Sequence, residues 1–407
     1  MSKMQPLIDW IAGERQNMLK HVRAWSDINT HSHNAIGLAE LSKKIACSFQ
    51  ALHAEASTVD VPAAIEIQFD GKEKHQFISP ILTFQKRKEA SRQALFVCHM
   101  DTVFPIDSSF QKCELESDEI LRGPGVCDAK GGIAIILQTL LAFEQSQYAS
   151  GIGWKVILNS DEELGSPGSA DYLSLEAKKF DLGLVYEPCL PDGSLVSSRK
   201  GSGNMSLVVR GAAAHAGRDH HLGINAIDSM ANCIKQISAL SHQRKDLTVN
   251  FGCVRGGDAV NIVPDLAVAK FNVRVLDPSD EAFCMQAIKT IIKEREAQDG
   301  AKIILHGNFT APCKPITPKV SQLINVIKNY GEILNMDIKH QATGGVCDGN
   351  RLQAAGLATI DTLGAKGNYI HSHQEYLDIP SLTQRTQLSF MLLDGWAKEE
   401  WSVHGHE

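Results

Sequence analysis

Short apolar runs alternate with helical patterns in the first half of the chain. Apolar residues recur close to a helical period over positions 7–25, which predicts an opening amphipathic helix. Residues 94–98, 154–158 and 182–186 are apolar runs typical of strands buried on both faces of a parallel sheet. Residues 131–143 form a helical pattern that begins at glycines. This alternation predicts a doubly wound α/β domain, whose chemistry gathers at the carboxyl ends of its strands.

The pattern changes after Lys200. Strand and helix patterns then follow in the order βαββαβ, over residues 205–209, 224–240, 247–253, 266–275, 281–296 and 302–306. This order is that of a ferredoxin-like module. Helical periodicity resumes over 320–334. We therefore predict a catalytic domain made of residues 1–200 and 312–407, interrupted by an inserted α+β domain at 201–311.

Composition narrows the class of protein. The chain has 407 residues, 43% of them hydrophobic and 21% charged, as in ordinary globular proteins. Its formal charge is -7 and it has no long basic run, which argues against a nucleic-acid partner. No stretch reaches the roughly 18 consecutive apolar residues that span a bilayer, and the first 20 residues lack a signal-peptide pattern. We expect a cytoplasmic protein with no membrane partner.

The ten cysteines are scattered without a C-x-x-C pair. This spacing suits neither a disulfide framework nor a cysteine-rich zinc site. We therefore expect reduced and mostly buried thiols.

Two segments place acids and a histidine next to predicted strand ends or turns. His99 and Asp101 follow the strand at 94–98, and alternation along an extended chain directs both to one side. Such an aspartate could orient a metal-bound imidazole, although a solvated turn would have the same sequence. Asp128 lies in a glycine-rich turn whose order differs from a phosphate-binding P-loop. Two interpretations of Asp128 stay open: its carboxylate could bind a cation, or it could be an ordinary loop residue.

Further acids and a histidine follow later strands. The segment from Ser160 to Gly165 contains Glu162 and Glu163. These acids could lie in the solvated first turn of a helix. Alternatively, one could bind a metal while the other transfers protons. Glu187 ends another strand, and His371 precedes Glu375 by four residues. The segment 165–169 is not the G-x-S-x-G of a serine nucleophile.

The complete set is more informative than its members. A doubly wound sheet would gather the candidate ligands at one edge: His99, Asp128, Glu163, Glu187 and His371. Mixed imidazole and carboxylate ligands without thiolates suit two zinc ions, or cobalt or manganese, about 3.5–4 Å apart.

The order of motifs resembles that of the M20 family of metallopeptidases and deacylases, and the glutamate carboxypeptidase-like branch most. The matching motifs are H-x-D, G-x-G-x-x-D-x-K-G-G, D-E-E-x-G-S, E-P, A-A-x-H-A-G, V-N-x-V-P followed by V-R, and a closing segment with His371 and Glu375. The resemblance covers nearly the whole chain. It implies the same doubly wound catalytic domain with an inserted lid and dimerisation domain.

The resemblance also implies roles for the catalytic side chains. Asp128 would bridge two metals, with His99 and Glu187 on one and Glu163 and His371 on the other. Glu162 would be the general base that takes a proton from the attacking water, whose pKa the metals lower towards ~7. Asp101 would orient His99. The family often has a cis peptide bond after the bridging acid, which here is the bond from Asp128 to Ala129.

In the inserted domain, the resemblance makes His215 the residue that reaches a partner subunit's active site and stabilises an oxyanion. A loop histidine is the alternative. Asn261 and Arg274 would bind substrate, with Arg274 pairing with a carboxylate, although an outward-facing strand residue would also fit. The backbone at Gly345 would approach the substrate. A homodimer formed through this domain is therefore expected.

The expected function is metal-dependent hydrolysis of a small peptide, as in a C-terminal exopeptidase, or of an N-acyl amino acid, as in acetylornithine deacetylase. The other class is a non-catalytic binding or assembly module that keeps the fold. Pro124, Cys127 and Cys347 depart from the family's pattern without removing a ligand, and the two cysteines suggest sensitivity to thiol oxidation. The sequence leaves the substrate and the physiological metal open.

Overall fold

The computed structural model describes residues 4–403. Within this range the α-helices are α1 Gln5–Gly13, α2 Arg15–Ser26, α3 Ala35–Phe49, α4 Gly132–Phe143, α5 Ala170–Ala177, α6 Ala226–Ser238, α7 Pro278–Asp299, α8 Pro318–Ile333, α9 Asp348–Ala354 and α10 Ile379–Ala397.

The strands within the same range are β1 Glu55–Val59, β2 Ala64–Ile67, β3 Glu73–Gln76, β4 Ile81–Lys86, β5 Gln93–His99, β6 Glu114–Leu115, β7 Ile120–Arg122, β8 Gly153–Asn159, β9 Leu182–Val185, β10 Leu195–Arg199, β11 Gly201–Arg210, β12 Ala214–His215, β13 Thr248–Gly256, β14 Ile262–Val263, β15 Leu266–Val275, β16 Lys302–Ala311, β17 His340–Thr343, β18 Ala358–Ile360, β19 Gly367–Asn368 and β20 Tyr376–Asp378.

Six strands form the central sheet, in the order β1-β4-β8-β5-β9-β18. β8, β5, β9 and β18 are parallel, whereas β1 and β4 add an antiparallel edge. Every residue of β5 and β8 is buried, as expected of strands covered on both faces. The predicted α/β fold is confirmed. His99 pairs in register with Asn159, which brings the segments after β5 and β8 side by side.

The opening of the chain differs from the prediction. In place of one helix over 7–25, α1 ends at Gly13 and α2 begins at Arg15. Glycine is a poor helix former, so an interruption at this point is physically reasonable. The apolar positions of both helices still face the core, including Ile11 and Val22.

The core helix α4 is apolar on all sides. The segment Val126–Phe143 is long and apolar enough to cross a membrane by length and composition, but 94% of it is buried inside the protein. Helix α10 packs against α4. A helix that is hydrophobic all round and enclosed in this way is explained by its place in the core. The absence of a membrane partner stays a prediction.

The inserted domain has the predicted ferredoxin-like order. Its antiparallel sheet runs β13-β15-β11-β16, and α6 and α7 pack on it over a second hydrophobic core that includes Val209, Ile237 and Ile288. β11 begins at Gly201 and β16 ends at Ala311. The division of the chain at these two points stays a prediction.

A hairpin of the catalytic domain, β2–β3, contacts the inserted domain. Ile67 is buried with Val208 and Val268, and Phe69 packs beside them. Sequence reasoning did not predict this hairpin, because both strands have only four residues and those of β3 are all charged or polar.

The two chain segments that connect the domains lie side by side. Arg199 and Lys314 exchange backbone hydrogen bonds of 2.9 and 3.1 Å. The Asn350 amide donates to the carbonyl oxygens of Lys200 and Pro312, at 3.0 and 2.7 Å. One side chain therefore fastens both connections to α9.

Candidate metal centre

Asp101 links the end of β5 to the acidic turn after β8. The ring Nδ1 of His99 lies 3.1 Å from the Asp101 backbone oxygen and 3.4 Å from its carboxylate. That carboxylate also accepts from the backbone N–H of Glu162 and Glu163, at 3.3 and 3.1 Å, and from the Ser32 hydroxyl at 2.7 Å. Asp101 thus orients the imidazole and holds the two glutamates beside it.

Asp128 lies in the tight turn Val126–Gly131, whose backbone is held by Glu375. The buried Glu375 carboxylate accepts from the backbone N–H of Gly125, Cys127 and Asp128, at 3.0–3.1 Å. Gly125 has a φ of +69°, and an added Cβ would lie 2.6 Å from Thr102 Cγ2. The bond between Asp128 and Ala129 is cis, so that prediction is confirmed. The sequence had marked Glu375 by its spacing from His371 and as part of the closing motif of the resemblance, without a role.

The five predicted ligands converge in the folded chain. The two carboxylate oxygens of Asp128 face different histidines, Oδ1 at 3.1 Å from His99 Nε2 and Oδ2 at 3.2 Å from His371 Nε2. Glu187 Oε2 is 3.8 Å from His99 Nε2, and Glu163 Oε2 is 3.1 Å from His371 Nε2. The arrangement has two halves that share Asp128.

Glu162 lies on the His99 side of this arrangement. One set of possible ligand atoms comprises His99, Asp128 and Glu163, and a second comprises His99, Glu162 and Glu187, each within 4.8 Å. The geometry allows Glu162 to be a ligand or a proton carrier. Its predicted role as base stays a prediction.

Without a cation, burial and the neighbouring negative charges disfavour the ionised form of three glutamates in this cluster. Burial, followed by the charge of Asp128 among other causes, raises the pKa of Glu187 to about 8. Burial and the charge of Glu187 hold the pKa of Glu162 well above its usual range, and burial and Asp128 raise the pKa of Glu163.

The same negative charges favour the protonated, positively charged form of the two histidines. Hydrogen bonds to Asp128 and Glu163 raise the pKa of His371 to about 11. Burial opposes the charged form of His99, but Glu187 and the two aspartates outweigh it and raise its pKa. Burial would raise the pKa of Asp128, yet the histidines lower it. Buried carboxylates are stabilised by nearby positive charge. Together with the imidazole nitrogens they form a ligand set suited to divalent cations.

A cavity of about 300 Å³ opens on this cluster. Asp128, Glu162, Glu163, Glu187 and His371 line one end of it. Arg199 and the predicted substrate-binding Gly345 also line it. A small molecule entering the cavity would therefore contact the cluster directly.

The predicted residues of the inserted domain are placed differently. His215 and Asn261 are exposed and lie outside the lining of the cavity. His215 pairs with Ile262 in the short β12–β14 ladder, and its ring Nδ1 accepts from the backbone N–H of Gly217 at 3.1 Å. Within residues 4–403, these two residues therefore do not join the predicted ligands of the same chain at the cavity.

Arg274 lies at the interface of the two domains. Its Nε donates to Asn272 at 3.0 Å and its Nη1 donates to the carbonyl oxygen of Gly344 at 3.2 Å. The guanidinium therefore lies beside the loop that contributes Gly345 to the cavity wall.

A buried charge network near the cavity was not predicted. Arg199 forms a two-pronged ion pair with Asp361, with both distances at 3.0 Å, and Lys314 Nζ lies 3.2 Å from the same carboxylate. Asp361 directly follows β18. An acid in this position could have been noticed in the sequence, because other predicted site acids also follow strands.

The thiols are free, as predicted, and seven of the ten are buried. Cys127 and Cys347 are 0% and 2% exposed, and burial raises the pKa of both well above its usual range. Reactive thiolates are therefore disfavoured at both positions, which argues against the suggested sensitivity to oxidation.

Comparison with known proteins agrees with this architecture. A family described as a peptidase dimerisation domain matches residues 197–300, and one described as peptidase family M28 matches residues 81–223. The M28 match ends before His371. The dimerisation-domain match includes most of the inserted sheet and both of its helices.

Relatives extend the similarity over most of the chain. Carboxypeptidase G2 from Pseudomonas sp. (strain RS-16) is 28% identical over 309 residues, which cover 74% of this chain and 73% of that protein. Succinyl-diaminopimelate desuccinylase from Magnetococcus marinus is 24% identical over 329 residues, covering 74% of this chain and 83% of that protein.

The fold is also that of a solved structure from Bacillus subtilis, described as a dinuclear metal binding peptidase from the M20 family. The TM-score is 0.66 at 15% identity, with 94% of this chain and 98% of that chain covered. The resemblance to M20 peptidases and deacylases that the motifs predicted is confirmed by the match at residues 197–300 and by these relatives. The protein is a metallo-hydrolase of peptide or amide bonds.

Proposed function

We propose that the protein removes the C-terminal amino acid from a small peptide, with two zinc ions bound at the cluster around Asp128. The observation that carries this proposal is the arrangement of Asp128 between His99 and His371, with Glu163 and Glu187 at its two ends. Cobalt and manganese are the alternative metals, since neither imidazole nor carboxylate ligands exclude them.

The ligand assignment follows the two halves of the cluster. His99 and Glu187 would hold one ion, Glu163 and His371 the other, and Asp128 both. Such ions, when bound, supply Lewis-acid activation of water and of the amide carbonyl. The remaining steps belong to side chains of the protein.

Glu162 is proposed as the proton carrier. Its backbone is fixed by Asp101, and its carboxylate lies within 4.8 Å of His99 and Glu187 ligand atoms. From there a glutamate could take a proton from the attacking water and return one to the leaving nitrogen. If Glu187 coordinates the ion that His99 holds, Glu162 stays free for this role.

Arg274 is proposed to receive the free carboxylate of the substrate. It is half-buried, desolvation lowers its pKa, and within residues 4–403 no carboxylate forms an ion pair with it. A planar guanidinium without an anionic partner is suited to a carboxylate. Asn261 would assist in substrate binding by analogy of motif alone.

An N-acyl amino acid deacylase is the second candidate, because the similarity to the desuccinylase covers as much of this chain as the similarity to the carboxypeptidase. The higher identity to carboxypeptidase G2, 28% against 24%, favours peptidase activity. Both reactions release an amino acid that carries a carboxylate.

We also propose a homodimer in a reducing compartment, the cytoplasm. The match to a peptidase dimerisation domain and the exposed position of His215 support an assembly in which His215 acts on the other subunit's site. The ten free cysteines support a reducing compartment.

Amino-acid release from a panel of dipeptides and N-acetyl, N-succinyl and N-formyl amino acids tests the function. The protein is loaded with zinc or cobalt, and chelated protein is the control. Metal-dependent release from dipeptides supports the peptidase, and release only from acylated amino acids supports the deacylase. No release by folded protein that holds two metal ions would reject both and favour a binding module.

A further inference from the structure

The cavity above the cluster has two chemically different ends. Acidic and imidazole groups line the end near Asp128, whereas the rest of the wall is largely apolar. The apolar part includes Leu190, Pro191, Val196, Val346 and Ile370. A substrate that reaches the cluster must therefore place part of itself against this apolar wall.

Arg199 is the only Lys or Arg among the residues lining the cavity, and all three of its guanidinium nitrogens already donate. Nε and Nη2 pair with Asp361, and Nη1 donates to the carbonyl oxygen of Gly345 at 3.3 Å. The side chain is 8% exposed. Its charge is therefore already paired with Asp361, so Arg199 is not a free cation for an acidic substrate group.

Two neutral polar oxygens of the wall are also engaged. The Thr362 hydroxyl accepts from the backbone N–H of Val196 at 2.9 Å, and the Asn368 side-chain oxygen accepts from the backbone N–H of Tyr369 at 2.7 Å. These contacts hold the wall in place and occupy two of its polar oxygens, and the uncharged wall supplies no cation to replace the hydration of a charged side chain.

The position of Arg274 indicates which part of the substrate meets the wall. Its Nη1 binds Gly344, the neighbour of the wall residue Gly345. Arg274 therefore lies beside this wall, and an amino acid whose carboxylate pairs with it would have the wall within reach of its side chain. This step rests on the proposed function.

We propose that the amino acid released by this enzyme carries an uncharged, apolar side chain, such as that of leucine, methionine or phenylalanine, and that glutamate and aspartate are rejected. An acidic side chain would lose water against the apolar wall without gaining a cation.

The first test compares kcat/KM across a series of zinc-loaded reactions in which only the released residue changes. Acetylated amino acids and alanyl dipeptides ending in Leu, Met, Phe, Glu, Asp or Lys provide the series. We expect leucine or phenylalanine derivatives to exceed glutamate derivatives at least ~100-fold, because a charge left unpaired in a pocket is strongly rejected. Equal or higher values for glutamate or aspartate would overturn the proposal.

A charge substitution in the wall sharpens the test. Leu190 is half-buried at the cavity, whereas Leu175 on α5 is 59% exposed and lies outside its lining. Leu190→Lys should raise the ratio of glutamate to leucine turnover at least ~10-fold, because it supplies the missing cation. Leu175→Lys introduces the same charge elsewhere and should leave the ratio unchanged. An equal change in both variants would contradict the assigned wall.

A binding measurement separates this inference from the proposed function. Calorimetric titration of the zinc-loaded protein with N-acetyl-leucine and N-acetyl-glutamate needs no turnover. Tighter binding of the leucine compound by a protein inactive on the whole panel would reject the hydrolase and keep the apolar preference. Turnover with tighter glutamate binding would keep the hydrolase and reject the preference.

Discussion

The predicted site residues of the catalytic domain and those of the inserted domain differ in how the protein holds them. His99 and Asp128 are buried, and each is oriented by a further acid, Asp101 or Glu375. His215 and Asn261 are exposed, and the His215 ring accepts hydrogen bonds from its own loop, at Gly217 and Arg218.

This difference indicates two kinds of functional residue. A buried cluster that is held by hydrogen bonds is assembled within one chain and needs only its metal ions. The predicted roles of the exposed residues on the inserted domain, by contrast, require contact with a second subunit. Variants of the buried cluster and variants of the exposed residues should therefore behave differently when subunits are mixed.

The largest effect is expected for Glu162→Gln. Glutamine cannot take up the proton, so turnover should fall about 10²–10⁴-fold while two metal ions stay bound. Steady-state kinetics and elemental analysis of the purified protein check both parts. Glu332→Gln, an exposed glutamate on α8, is the matched control. Loss of metal in the Glu162 variant would instead make Glu162 a ligand.

His215→Ala should lower kcat about 10²–10³-fold if the imidazole stabilises an oxyanion across the dimer. His220→Ala, another exposed histidine of the same region, should have little effect. Mixing the inactive His215→Ala and Glu162→Gln proteins under subunit exchange should restore activity, since a mixed dimer contains one site with both native residues. Activity that stays at the level of the separate variants would contradict action between subunits.

Glu375→Gln tests how the turn around Asp128 is held. The amide can present only one oxygen to three backbone N–H donors, so the turn should loosen and metal affinity fall about 10–100-fold. Competition with a chromogenic chelator measures the affinity, with Glu332→Gln again as control. Unchanged affinity would mean that Asp128 is held adequately without Glu375.

Phe69→Leu should have the smallest effect. Arg255 and Lys270 of the inserted domain lie 4.3 and 5.1 Å from the Phe69 ring centroid. Leucine keeps apolar contact but removes the cation–π interactions, which should lower the free energy of unfolding by about 0.5–1 kcal/mol. Denaturant titration measures it, and Phe77→Leu, at a side chain 66% exposed, is the control. Equal losses in both variants would contradict a specific contact between the domains.

The sequence predicted the core strands and the inserted domain well for a physical reason. Strands such as β5 are continuous apolar runs because both of their faces are buried, and β15 has the predicted bounds. The hairpin β2–β3 was missed because it is stabilised by contacts with residues about 140–200 positions away, such as Val208 and Val268. The break between α1 and α2 was missed because apolar periodicity continues across it.

The sequence by itself determined the chemistry that could occur: imidazole and carboxylate groups at strand ends, no thiolate motif, and a ferredoxin-like insert. Only the tertiary structure decided that Asp128 lies between two histidines, that Glu375 holds its turn, and that Asp361 engages Arg199 beside the cavity. Residue types and local periods are written along the chain, whereas distances of 3 Å between residues far apart in sequence depend on how the whole sheet packs.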